Sequence, residues 1–243
     1  GSIITAKKLI DVAVDAKADS VKFQIIYPEG LYVEKINEEN GLKDNPIIKI
    51  RQESMLKDYE YAELNDYCRK NKIQFTSSIF DNRGIELLVD LDTPYIKIAS
   101  TDLNNLSLIH EAAKTGKKLI ISTGMSILSE IERTVNFLTK EGHDKIVLLH
   151  CVSVYPAAEQ LMNLSFIDIL KSNFGFPVGL SDHTESNLSA IVAVGKNIEY
   201  IEKHITLDKK QKGFDHPYAT EPNDFHKYVE DIRNAESANT LRE

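Results

Sequence analysis

The sequence predicts an α/β chain with the architecture of a (β/α)8 TIM barrel, on three observations. Seven short runs rich in Ile, Val and Leu recur at residues 20–26, 73–80, 95–100, 118–123, 146–152, 178–182 and 200–206. Most do not alternate strictly between apolar and polar residues, which suits parallel strands covered by helices. Helix-like stretches separate them, and repeated βα units in a chain of 243 residues point to a barrel, with a doubly wound sheet as the structural competitor. Finally, His183 in VGLSDHT and His204 in YIEKHIT stand at the ends of two runs, 21 residues apart, each just before a helix-like stretch. Barrel βα loops gather at such strand ends.

The elements follow in order. Ile3, Ala6, Ile10, Ala13 and Val14 share one helical face, with Ser2 as N-cap. After the first strand, residues 27–58 read as a long, polar, irregular connection punctuated by Pro28, Gly30, Gly41 and Pro46. Connections of that length serve as lids or interface elements, or are plain surface excursions. Leu106, Ile109 and Ala113 mark a helix that ends at Gly116. Ile127, Ile131, Val135 and Leu138 mark another, stopped by Gly142. Phe225, Tyr228, Val229, Ile232 and Ala235 form the last, with Pro222 ahead of it. Seven strands behind an opening helix are one short of a closed barrel, so the expectation is a single barrel domain over residues 1–243 that lacks its first strand.

Composition narrows the function classes. Apolar residues make up 42% and charged residues 27%, as in ordinary globular proteins. No run of about 18 apolar residues exists and no leader is visible, so neither a membrane nor secretion is expected. The net charge of −8 is dispersed and no basic stripe stands out, which argues against nucleic acid. A small anionic substrate stays compatible, because local lysines can outweigh a modest global charge. Cys68 and Cys151 form no CxxC and read as reduced core thiols of a cytoplasmic protein.

The chemistry-bearing residues cluster at strand ends. Lys22 and Gln24 alternate with Val21 and Phe23, and Lys97 lies within PYIKIAS, followed by Ser100. A lysine in a buried strand costs desolvation unless it meets an anion. One such lysine is met by a structural carboxylate; two in neighbouring strands suggest a shared phosphate or carboxylate ligand. Ser78, Ser122, Ser153 and Ser181 add hydroxyls at further strand ends, and Asp102 and Tyr155 fall just beyond strands. A single serine there is usually a turn or cap residue; repetition at one level is the signal. His183 and His204 are either core imidazoles bonded to backbone or two ligands of a divalent ion such as Mn²⁺, Fe²⁺ or Zn²⁺. His150 reads as packing or outer-shell support.

VKFQ, FTSSIFD, YIKIAS, ISTGM, LLHCVSVYP, GLSDHT, IEKHIT and GFDHPYATEP occur in that order. Together they resemble the nonulosonate synthase family, whose best-known member is sialic acid (N-acetylneuraminate) synthase. The resemblance implies a TIM-barrel transferase that condenses phosphoenolpyruvate with an N-acylated hexose such as N-acetylmannosamine. The products would be a nine-carbon α-keto sugar acid (sialic, legionaminic or pseudaminic) and phosphate. It implies a divalent metal, Mn²⁺ or Mg²⁺, on His183 and His204. It assigns phosphoenolpyruvate to Lys22, Ser78, Lys97, Ser100, Ser122, Ser153 and Ser181, and the sugar to Gln24, Asp102, Tyr155 and Asp215. Lys22, Lys97, Asp215 and the two histidines would carry the catalysis. Family members also have an acidic residue on a first strand and a C-terminal antifreeze-like domain that crosses a homodimer. Neither segment is found in this sequence, so weak activity is expected of it alone. The competing readings are another phosphoenolpyruvate-condensing barrel, a Schiff-base aldolase using Lys22 or Lys97, and a non-catalytic sugar-acid binding barrel.

Overall fold

The computed structural model describes residues 1–39 and 41–240. Helix α1 (Ile3–Asp15) opens the chain and leads into β1 (Ser20–Gln24). A short α2 (Pro28–Leu31), a hairpin of β2 (Lys35–Glu38) and β3 (Gly41–Asp44), and α3 (Pro46–Ser54) follow. The regular alternation then runs through α4 (Asp58–Lys70), β4 (Gln74–Ile79), α5 (Asn82–Asp90), β5 (Tyr95–Ile98), α6 (Leu106–Lys114), β6 (Lys118–Ser122) and α7 (Leu128–Lys140). It ends with β7 (Ile146–Cys151), α8 (Phe166–Phe174), β8 (Val178–Asp182), α9 (Leu188–Val194), β9 (Tyr200–Lys203) and α10 (Pro222–Asn239).

Seven strands form one sheet in the order β1-β4-β5-β6-β7-β8-β9, every neighbouring pair parallel, with β1 and β9 at its edges. This is the strand order of a TIM-like barrel, and each strand falls inside the run that predicts it. The helices begin where side chains take up otherwise orphaned amides. Ser2 Oγ accepts from Thr5 N, and the Asp81 and Asn105 side chains accept from Gly84 N and Leu108 N. Glu60 and Glu130 reach back to the amides of Lys57 and Ile127, the carboxylate half of a capping box. Gly142 ends α7 at φ 78°, in the left-handed region open to glycine.

Residues 27–58 differ from expectation. They hold two helices and a hairpin, not an irregular loop. Pro46 sits in the first turn of α3, where a missing N–H costs nothing, and Asn45 Oδ1 accepts from Ile47 N at 3.1 Å. The proline that reads as a loop marker is a helix start.

The core has two compartments. Most of it lies between the sheet and the surrounding helices, with Ile10, Leu64, Leu88, Ile109, Leu138 and Leu170 fully buried. A smaller one fills the inner face of the sheet: Ile120, Val147 and Leu149, packed by Tyr95 and Tyr200. Gly179 is required there, since a Cβ would lie 2.5 Å from the Tyr200 carbonyl and 2.6 Å from Leu149. Below this plug, Lys118 donates to Tyr200 Oη at 2.8 Å. Above it, the inner face turns polar. Among the described residues no helix is long and apolar enough to cross a membrane.

Candidate active site

Strand register explains which side chains meet. Partners across parallel strands share a face, and every second residue returns to it. Ser78 pairs with Lys97, Lys97 with Ile120, Ser122 with Leu149, Cys151 with Ser181, and Ser181 with Glu202. Lys22 lies two residues before Gln24, the partner of Ser78. One inward layer at the C-terminal strand ends therefore carries Lys22, Ser78, Lys97, Ser122, Cys151, Ser181 and Glu202.

The contacts within this layer are close. Lys97 is 3% exposed, and its Nζ donates to Ser122 Oγ and to the Ile98 carbonyl, both at 2.7 Å. Lys22 Nζ donates to Ser78 Oγ at 3.3 Å and lies 3.5 Å from Glu202 Oε2. Ser181 Oγ donates to Glu202 Oε1 at 2.8 Å. Burial drives the Lys97 ammonium down to about 8, against the pull of Glu202 and with the push of Lys22. Burial acts to raise the Glu202 carboxyl, but Lys22, Lys97, His204 and the Ser181 hydroxyl outweigh it and hold it well below the usual range. Two ammoniums and one carboxylate leave the layer with a net positive charge in a mostly buried setting, which suits an anionic ligand.

Gly124, just past β6, widens this cradle. A Cβ there would lie 2.5 Å from Ser153 Oγ and 2.9 Å from Ser100 Oγ. The next residue, Met125, takes φ 61°, which costs a non-glycine residue on the order of 1 kcal/mol. Strain of this kind concentrates at functional sites. Ser100 Oγ donates to Cys151 Sγ at 3.7 Å. Cys68 and Cys151 are both free, buried thiols.

An aromatic mouth stands above the polar layer. The rings of His183 and His204 are 5.4 Å apart, and Tyr155 lies 4.3 Å from His183 and 4.8 Å from Tyr218. Asp215 Oδ2 is 3.5 Å from His204 Nδ1. His204, with Tyr218 beside it, draws the Asp215 carboxyl down to about 2 although burial opposes this. Burial pushes the Tyr155 phenol up to about 12, so it stays a donor at neutral pH.

The two imidazoles are the candidate metal ligands. His183 Nδ1 faces the Val152 carbonyl at 2.8 Å. A carbonyl only accepts, so Nδ1 carries a proton, while Nε2 lies 3.4 Å from Ser181 Oγ. Asp215 stands on the Nδ1 side of His204. Among the described residues no group of three His, Cys, Asp or Glu side chains is placed to hold an ion. Two imidazoles alone would suit a divalent first-row ion whose other positions go to substrate or water.

The remaining sequence-predicted residues are less central. Gln24 ends β1 beside Ser78, with an exposed side chain. Asp102 is buried and taken up locally, accepting from Thr101 Oγ1 at 2.9 Å and Asn105 Nδ2 at 3.1 Å. His150 Nε2 meets the Met162 carbonyl at 2.6 Å and is a packing residue, as expected.

Sequence reasoning missed Glu202. The signal was available: in YIEKHIT, period-2 spacing puts Glu202 on the face of His204. It also missed a buried network on the outer side of the same strand ends. Asp182 and Lys203, each immediately before a site histidine, pair at 2.9 Å with side chains 0% and 5% exposed. Tyr228 of α10 donates to Asp182 Oδ2 at 2.8 Å, and Thr184 donates to Oδ1 through its N and Oγ1.

A TIM-like parallel sheet with a net-positive polar layer below two neighbouring histidines makes the C-terminal strand ends the candidate small-molecule site. The sequence matches the NeuB family model over residues 9–242, and the chain belongs to the NeuB family. It is 36% identical to an N,N'-diacetyllegionaminic acid synthase of Campylobacter jejuni, over 98% of this chain and 73% of that protein. It is 34% identical to an N-acetylneuraminate-9-phosphate synthase of Drosophila melanogaster, over 91% of this chain and 61% of that protein. The chain thus spans about two thirds of the length of such relatives. The crystal structure of an N-acetylneuraminic acid synthetase from Leptospira borgpetersenii in complex with citrate superposes with a TM-score of 0.88 at 32% identity, covering 99% of this chain and 81% of that one.

Proposed function

We propose that this chain carries the catalytic barrel of a sugar-acid synthase. It would condense phosphoenolpyruvate with an N-acylated hexose of the N-acetylmannosamine type to give a nine-carbon α-keto sugar acid and phosphate. The observation that carries the reading is the inward layer of Lys22, Lys97, Ser78, Ser122, Ser181 and Glu202 directly below His183, His204 and Asp215. The synthase names of the relatives support the same class. In this reading the sheet supplies seven strands of a (β/α)8 barrel, the eighth belonging between β1 and β9.

Overall, a bond forms between C3 of phosphoenolpyruvate and the aldehyde carbon of the open-chain hexose. The aldehyde oxygen gains a proton, one water is consumed at C2, and phosphate leaves. Lys22 and Lys97 bind the phosphate and carboxylate and offset charge that builds as phosphate departs. Ser78, Ser100, Ser122, Ser153 and Ser181 complete the cradle with hydroxyls. Gln24, Asp102, Tyr155 and Asp215 serve the acceptor, with the ionised Asp215 accepting from a sugar hydroxyl and Tyr155 donating. His183 and His204 would hold Mn²⁺ or Mg²⁺ through Nε2. That ion supplies Lewis-acid polarisation of the acceptor carbonyl when bound. The apolar plug of Ile120, Val147 and Leu149 closes the floor against water.

The test is phosphate release from phosphoenolpyruvate with Mn²⁺ across a panel of N-acylated hexoses. Release that requires both the metal and one acylated hexose supports the reading; no release with any acceptor would sink it. One observation favours a second reading. Lys97, buried and driven down to about 8, is placed as an amine nucleophile would be. Borohydride trapping with pyruvate separates the two, since only an aldolase gives a reduced lysine adduct.

A further inference from the structure

The backbone ladder between β8 and β9 stops just short of the two histidines. Its last partners are Asp182 and Lys203, directly before His183 and His204. Beyond that point each histidine carbonyl bonds to a different loop: His183 O accepts from Ala157 N and His204 O from Thr220 N, both at 2.8 Å. Main-chain pairing therefore does not carry the spacing of the imidazoles.

Side chains take over where the ladder ends. Ser181 and Glu202 face the inner layer, so Asp182 and Lys203 face the outer side. Asp182 Oδ1 accepts from Thr184 N at 2.9 Å and from Thr184 Oγ1 at 2.8 Å, which closes a turn around His183. Lys203 Nζ donates to Asp182 Oδ2 at 2.9 Å and to the Thr184 carbonyl at 2.5 Å. The residue before His204 is thus tied to the residues on both sides of His183. Asp182 and Thr184 are buried, and the Lys203 side chain nearly so. Tyr228 caps this bridge without spanning it: its hydroxyl donates to Asp182 Oδ2 at 2.8 Å, and Lys203 Nζ lies 4.8 Å from its ring centre.

Stability alone does not call for such a pair. A buried ion pair recovers little beyond its desolvation cost, and apolar residues of similar volume are often as stable or more so. Apolar contact is non-directional, whereas hydrogen bonds weaken steeply when bent, so a polar bridge holds direction and register. Resting on the reading of His183 and His204 as ligands of one divalent ion, we infer that Asp182 and Lys203 are positioning residues: their bridge through Thr184 fixes the spacing of the two imidazoles, and metal affinity depends on it.

The test is Mn²⁺ affinity by EPR titration of the full-length protein, beside urea unfolding of each variant. Lys203→Met and Asp182→Asn/Lys203→Met should both weaken Mn²⁺ binding by about 10- to 100-fold, the range for groups that orient metal ligands. The factor should be the same in both, although the single variant, with its orphaned carboxylate, is the less stable. Tyr228→Phe loses a hydrogen bond but leaves the bridge, so its affinity should match wild type. His183→Ala should lose the ion altogether. Should the single variant fail to fold, the double variant carries the test alone. If both bridge variants bind Mn²⁺ as wild type does while His183→Ala has lost it, the inference is overturned and the metal reading stands. Affinity that merely follows stability across the variants, Tyr228→Phe included, would also overturn it, leaving the network a purely structural role. A wild type that binds no Mn²⁺, or a His183→Ala that binds it normally, overturns the metal reading and the inference with it.

Discussion

Replacing Lys203 by Met tests the buried network behind the two histidines. The substitution keeps most of the apolar stem and removes the ammonium 2.9 Å from Asp182. Asp182 is fully buried and Lys203 nearly so, so solvent screening offers no relief. Removing one partner of such a pair costs roughly 3–5 kcal/mol, because an uncompensated charge is left behind. The bonds from Tyr228 and Thr184 persist, which puts the expectation near the lower end, about 3 kcal/mol. At about 2–4 °C per kcal/mol for a chain of this size, the midpoint of thermal unfolding should fall by roughly 6–12 °C. The control is the double variant Asp182→Asn/Lys203→Met, in which both charges are gone. It should be more stable than Lys203→Met alone, since the penalty lies in the orphaned charge and not in the lost attraction. The assay is urea and thermal unfolding followed by circular dichroism. A single variant within about 0.5 kcal/mol of wild type, the range of an ordinary surface change, would refute the reasoning. So would a double variant less stable than the single.

Further outcomes concern the inward layer. Lys97 has its pKa pushed from 10.5 to about 8, so between those values the unfolded chain binds a proton that the folded chain does not. Stability should therefore rise with pH from about 8 to 10.5 through this group, by roughly 3 kcal/mol in all. Urea unfolding at stepped pH should show the rise in wild type and lose it in Lys97→Met. Glu202 gives a slope of the same sign in the acid range: its folded pKa lies below the ordinary 4.5, so its contribution is present above that value and is lost as pH falls below it. Glu202→Gln should flatten the acid limb of the same unfolding series. Gly124→Ala puts a methyl 2.5 Å from Ser153 Oγ and should weaken phosphoenolpyruvate turnover on the order of 100-fold without unfolding the chain. Unchanged kcat/KM in that variant would show that the cradle lies elsewhere.

How far the sequence could be read depends on the range of the interaction. The seven strands are legible because β-branched runs bounded by turns are a local signal, and each run contains its strand. Ser2, Gly116 and Gly142 are legible as caps for the same reason. Lys22, Lys97 and the histidines stand out because a charged or imidazole side chain in an apolar run is locally improbable. Residues 27–58 were misread because Pro46 serves both loops and helix starts, and only Asn45 bonding to Ile47 decides between them. The pairing of Asp182 with Lys203, and of Lys22 with Glu202, is set by strand order, which no local pattern states. Arg51 meets Phe214 only because α3 crosses to the β9 side of the mouth.

The most direct measurement follows carbon. Phosphoenolpyruvate labelled with ¹³C at C3 is incubated with the full-length protein, Mn²⁺ and N-acetylmannosamine, and the products are read by mass spectrometry beside released phosphate. The account requires the label in a nine-carbon keto sugar acid, in step with phosphate, and its loss in His183→Ala while the fold persists. Label found only in pyruvate, or nine-carbon product made at the wild-type rate by His183→Ala, would contradict it.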